Sequence, residues 1–329
     1  MSVALEVVPG KLDQNPLLKA WPRWTGELVA LAYITLIATI AYVTGAFYLM
    51  FPELGALAHD VYTRPRGTWA RAPLLLAVTP VLTGIAGTIF TRTMSYGYLS
   101  VLLTVGAAVL IIEVLRSPVA PAISAGLLPL VVGIRSWWYA PGIMLGTFLL
   151  AGLSIIWKRY AAPEQATAET VMQDAMRDAM ETPSPRYAWL TALMAFVAFG
   201  VLLVKLTGLR FILFPPLVVI GFEMLGHMEI CPWAQRPLGL PLASFLTAAG
   251  GLLFLKLFGV NPLTAACAMA WGIVVLRVFD LHVPPALAVA LLPMVMNKPT
   301  LMYPVSVGIG TLAMTLWFLL YRTATGLSS

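Results

Sequence analysis

Charge is what this chain most lacks. Only 10% of its 329 residues are Asp, Glu, Lys or Arg, against about 25% in a soluble domain. Such a surface cannot be kept in water by its own side chains, and a soluble globular class is excluded. Cysteine is nearly absent too: Cys231 and Cys267 stand alone, with neither a C-x-x-C pair nor a metal-finger spacing. Three histidines lie too far apart for a metal-ligand motif, and there is no H-E-x-x-H, G-x-S-x-G or P-loop. The sequence therefore asks for no cofactor, no metal and no catalytic constellation. Although the net charge is +6, the basic residues are scattered singly. No basic stripe interleaved with aromatics suits nucleic acid.

What is present is apolar length. Apolar residues make up 60% of the chain and the mean hydropathy is +0.89. Runs near bilayer length fall at about 28–50, 72–90, 97–115, 138–157, 187–205, 237–255, 262–276 and 303–321. The first starts too far in, and is too long, for a cleaved signal. The sequence implies an all-α polytopic membrane protein.

The membrane part is also written twice. Residues 71–159 match residues 235–323 at a fixed offset of 164. Pro73, Thr83, Gly87 and Phe90 fall on Pro237, Thr247, Gly251 and Phe254; Tyr139 falls on Tyr303, and Gly146-Thr147 on Gly310-Thr311. Roughly a fifth of the positions are identical. Apolar composition gives chance matches, but it does not place Pro, Gly, Thr and Tyr in one register. The expected organisation is a cytoplasmic N-terminal segment 1–25, membrane repeat 26–159, an amphipathic cytoplasmic linker 160–186, membrane repeat 187–323 and a tail 324–329. Each repeat holds about four full transmembrane helices plus two Pro-broken or half-helix segments.

Basic clusters at Arg64, Arg66 and Arg71, at Lys158-Arg159 and at Arg322 place both termini and the linker on the cytoplasmic side. Lys205 and Arg210 run against that rule, and could instead draw anions to a mouth on the outer side. An even number of crossings per repeat follows, hence parallel repeats. Glu113 pairs with Arg277 and Arg116 with Asp280 at the offset, both with reversed charge. Parallel repeats would let these helix ends meet as salt bridges at the repeat interface.

Two kinds of broken segment recur. Phe214-Pro215-Pro216-Leu217, leading to Glu223, has its counterpart in Phe51-Pro52-Glu53 at offset 163; His282-Val283-Pro284-Pro285-Ala286 has its counterpart in Pro118-Val119-Ala120-Pro121-Ala122. Proline suits the first turn of a helix and bars the residue before it from helical geometry. Each segment thus reads as an extended stretch that becomes a helix at the proline. A helix start at membrane depth offers free N–H groups and a positive dipole end. The candidate solute contacts are Phe214, Pro215, Pro216, Leu217, His282, Pro284, Pro285 and Ala286, with backbone N–H groups near Leu217 and Ala286 as donors. Glu223 or His282 could couple protons. Asp60 takes the place of Glu223 in the first half, and His59 and His227 flank these acids.

His282-Val-Pro-Pro-Ala286 with its following apolar helix, and Ile230-Cys-Pro-Trp-Ala-Gln-Arg-Pro237 before a long helix, resemble the signatures of the HPP family of integral membrane proteins. Val283 separates the histidine from the prolines here, and Pro118 stands where a first-half histidine would be. The resemblance covers about 205–322 and implies a fused duplicate of a single-repeat unit. It also implies transport of a small anion such as nitrite. The partners are then the lipid bilayer and a small anionic or polar solute, with a homo-oligomer also open. A non-transporting scaffold or complex subunit is the rival reading.

Overall fold

The computed structural model describes residues 23–161, 168–180, 188–231, 233 and 238–325. Nearly all of segment 1–25, most of the tail and most of Ile230–Pro237 lie outside the described residues. Every regular element described is helical. In order they are α1 (Arg23–Thr44), α2 (Glu53–Thr63), α3 (Thr68–Arg71), α4 (Pro73–Thr93), α5 (Tyr98–Leu115), α6 (Ala122–Val132) and α7 (Tyr139–Tyr160). Then come α8 (Ala168–Met180), α9 (Ala188–Thr207), α10 (Pro215–Gly226), α11 (Gly239–Phe258), α12 (Pro262–Val278), α13 (Pro285–Leu291) and α14 (Met302–Ala324).

Seven helices (α1, α4, α5, α7, α9, α11 and α14) are long and apolar enough to cross a membrane. The eighth run became α12, at 17 residues. Their outer faces are apolar: Leu74, Leu110, Leu206, Val278 and Leu320 each expose more than 60% of their surface. Many threonines within these helices turn inward and satisfy themselves locally. Thr88, Thr91, Thr247 and Thr315 each donate to the carbonyl four residues back. An apolar exterior with polar groups satisfied inside suits lipid as solvent.

The first apolar run is not one helix. It breaks at Gly45, whose φ of +70° ends α1, and a short 3-10 turn Phe47–Leu49 follows. Gly208 does the same after α9, with φ of +72°. The proline junctions fall where the sequence puts them. Pro215 opens α10, Pro285 opens α13, and Pro52 and Pro121 directly precede α2 and α6.

Details 164 residues apart coincide. Tyr139 donates to the Ala125 carbonyl at 2.9 Å, and Tyr303 to the Val289 carbonyl at 2.7 Å. Arg116 and Asp280 both take left-handed backbone, each with φ of 49°. The same wrap follows each: Ser117 N–H bonds the Ile112 carbonyl and Leu281 N–H the Leu276 carbonyl, both at 2.9 Å. Gly87 lets α4 meet the backbone of α6, since a Cβ there would lie 1.8 Å from the Gly126 carbonyl oxygen; Gly251 does so for α11 and Ala290, at 2.1 Å.

The two halves are interlaced. Helix α1 packs on α12 and α9 on α5, while the short helix α2 packs on α13 and α10 on α6. Helix α8 lies at one end of the bundle, hereafter the linker end, where Asp178 bonds Arg64 and Arg71. The end of α7 meets the end of α2 there, through Trp157 Nε1 and the Tyr62 carbonyl at 3.0 Å.

Candidate functional site

The short helices bring the chain's buried polar groups to two places. The first is the linker end, where α2 finishes. Asp60 is fully buried and accepts from Arg64 Nη1 at 2.9 Å, one helical turn on. Arg64 in turn reaches Asp178 and, at 3.6 Å, Asp174 of α8. His282 Nε2 stands 3.7 Å from Asp60 Oδ1, within ion-pair range and too far for a hydrogen bond. The His59 and His282 rings face each other at 6.1 Å, and His59 Nε2 lies 3.9 Å from Glu27. Burial pushes the His282 imidazole down to about 3, against the opposing pull of Asp60 and with the help of nearby Arg177 and His59. It is neutral at physiological pH. Glu223, Trp69, Trp233, Arg177, Met180, His282 and Pro284 border a space of about 10 Å³ there. That volume holds one water at most.

The second place is the middle of the bundle. Glu53, the first residue of α2, has no exposed surface, and neither carboxyl oxygen has a hydrogen-bond partner. Ser124 of α6 faces it, is equally buried and is also unbonded. Tyr139 and Tyr303 lie within electrostatic reach of the same carboxyl. Among the described residues no cation offsets Glu53.

Toward the end opposite the linker lies a cavity of about 600 Å³. That is within the size range of small-molecule sites. Tyr48, Met50, Leu128 and Tyr139 of the first half and Val260 and Met296 of the second line it, with Arg135 at its rim. The charged side chains at this end are Arg92, Arg135, Lys205, Arg210, Lys256 and Lys298. Among the described residues no Asp or Glu accompanies them. Arg92, Lys205 and Arg210 rest on the rings of Trp137, Tyr98 and Tyr96 at 5.0, 4.1 and 4.5 Å.

The residues singled out from the sequence divide accordingly. His282, Glu223 and Pro284 meet at the linker end, beside His59 and Asp60. Phe214, Pro215, Pro216, Leu217, Pro285 and Ala286 are all buried and border neither space. The helix starts offer no free donor. Leu217 N–H already bonds the Phe214 carbonyl at 3.0 Å, and Ala286 N–H the Val283 carbonyl at 2.9 Å. The reason is local: proline removes the first donors, and the next ones close tight i→i−3 turns.

The charge pairs foreseen at the repeat interface do not form. Arg277 pairs with Glu27 of α1, and no Glu113–Arg277 or Arg116–Asp280 bridge is drawn. The third long helix of each half packs against the first long helix of the other, not against its own counterpart.

Sequence reasoning passed over Glu53, Ser124 and Glu27. One signal for Glu53 was present. Phe51-Pro52-Glu53 carries an acid where Phe214-Pro215-Pro216 has its second proline. An acid inside an apolar stretch is rare enough to mark a site.

Comparison with protein-family models, curated proteins and solved structures returns no match for this chain.

Proposed function

We propose that the protein is a membrane permease for a small polar solute, an inorganic anion such as nitrite being the best fit. The observation that carries this is the cavity of about 600 Å³ at an end whose described charges are all cationic. A mouth of one sign concentrates ions of the other. The resemblance to the HPP family points to the same class of solute.

The fold is best read as two parallel tandem repeats. Matching helix bounds, paired tyrosine hydrogen bonds and paired left-handed residues at offset 164 support it. In this reading the linker end is cytoplasmic, as its larger share of Lys and Arg suggests. The solute enters from the other side, passes Tyr139 and the Glu53–Ser124 pair, and leaves by the linker end. Helix α8 and the Asp60–Arg64–Asp178 network close that exit in this conformation. The binding groups are then side chains, Arg135 and Ser124 among them, in place of the helix-start N–H groups.

Proteoliposome flux of nitrite, nitrate, formate and bicarbonate tests the proposal. Uptake of at least one anion above empty vesicles is the expected result. Absence of uptake for all four would favour the scaffold reading, which the dry packing around Pro216 and Pro285 also suits.

A further inference from the structure

We propose that Glu53 is a proton-binding site that must be protonated for an anion to pass, making the permease an anion–proton symporter. This rests on the permeation reading above. Three independent observations meet at this residue. Glu53 has no exposed surface and, among the described residues, no group lies within hydrogen-bond geometry of either oxygen, Ser124 and the residue's own N–H being the polar groups nearest it. Among the described residues it faces no cation, so nothing offsets the cost of burying a charge, several kcal/mol per ion in real proteins. Tyr139 then ties it to the entry route, because that side chain lines the cavity and lies within electrostatic reach of the carboxyl.

The groups facing Glu53 leave few other proton carriers. Helix α7 presents Tyr139 and α14 presents Tyr303, each with its hydroxyl already donated to a carbonyl. On α1, Tyr33 is directed to the Gly146 carbonyl at 2.7 Å and to the Tyr62 ring. Helix α6 presents Ser124, and α13 carries no titratable side chain. Arg71 of α3 is at the linker end against Asp178, as are His59 and Asp60 farther along α2. Glu53 is therefore the group in the middle of the bundle that can gain and lose a proton without breaking a hydrogen bond.

The coupling follows from Coulomb's law. An ionised Glu53 repels an anion that has advanced past Tyr139, in surroundings with little water to screen it. A proton taken from cavity water converts the carboxylate to the acid and supplies an O–H donor. The unbonded Ser124 hydroxyl supplies a second. The anion and the proton then leave together toward the linker end, and the emptied site regains its charge only when water reaches it.

Two measurements on the full chain in proteoliposomes test this. The first is labelling with dicyclohexylcarbodiimide, which modifies protonated carboxyls in apolar surroundings, with the site located by peptide mass. Glu53 should be modified near pH 6, about tenfold less near pH 9, and Glu53→Gln should carry no label there. An unmodified Glu53, or labelling that does not change with pH, overturns the proposal. The second is lumenal acidification during nitrate uptake, nitrate being an anion whose acid does not carry protons through lipid. Wild type should acidify; Glu53→Gln should take up nitrate without acidifying; Glu53→Asp should restore the coupling. Acidification that persists in Glu53→Gln refutes the role. Because labelling needs no transport, a protein that labels at Glu53 but moves no anion counts against the permease reading alone.

Discussion

Asp60 and Glu223 stand 163 residues apart, near the ends of α2 and α10, and the structure treats them differently. Asp60 is locked to Arg64 and, through it, to α8. Glu223 borders a space of about 10 Å³ and makes no ion pair among the described residues. The same contrast holds at the other ends of these helices. Helix α2 begins with the unpartnered Glu53, and α10 with two prolines packed dry. The two helices differ in what they bury. The first half carries the acid at mid-depth, and the second contributes His282 at the linker end.

The comparison breaks most readily at the two acids. Asp60→Asn should cost about 3 kcal/mol, because it leaves Arg64 buried without its partner on α2. Glu223→Gln should cost about 1 kcal/mol or less, since it breaks no ion pair among the described residues. Thermal melts in detergent decide it; equal losses would mean that the two positions are alike after all. The two-repeat reading is tested at the close approaches. Gly87→Ala and Gly251→Ala should each destabilise by about 1–3 kcal/mol, since each new Cβ meets a backbone carbonyl that cannot turn aside. A marked inequality between them would argue that the helix contacts are not equivalent.

His282 sharpens the contrast through pH. Its folded form resists protonation while the unfolded chain accepts a proton near 6.5, so the unfolded state binds more protons in between. Stability linked to this residue is complete above 6.5 and falls as the pH drops from there toward about 3. The slope is at most ~1.4 kcal/mol per pH unit. His282→Gln should flatten the melting profile between pH 6.5 and 5, and an unchanged profile would remove the histidine from the account. The smallest effect belongs to the mouth. Arg135→Gln should raise the apparent KM for the transported anion about fivefold at low ionic strength, and less in high salt. A KM unaffected at both salt concentrations would leave the cationic end without a role in entry.

Much of the fold was legible because its causes are local. A run of some twenty apolar residues is a spanning helix wherever it sits, and a proline sets its own φ and that of its neighbour. Hence Pro215 and Pro285 open helices within a residue of their expected starts. Gly45 was not foreseen as the break after α1. Only the sign of its φ reveals it, and an apolar run gives no hint of that. The site was half legible. His282, Glu223, Asp60 and His59 were singled out and do converge. The helix-start donors were misjudged, because whether Leu217 and Ala286 keep a free N–H depends on a turn closed by the carbonyl three residues earlier.

By itself the sequence determined the helical class and the broken segments, since hydrophobic length and proline geometry act within a few residues. Only the tertiary structure decided that α1 packs on α12 and α9 on α5, so that Arg277 found Glu27 and not Glu113. It also decided that Asp60 would be paired and Glu53 left alone. Charges and buried polar groups are satisfied by whatever the packing brings within a few ångströms, and those neighbours lie up to 250 residues away along the chain.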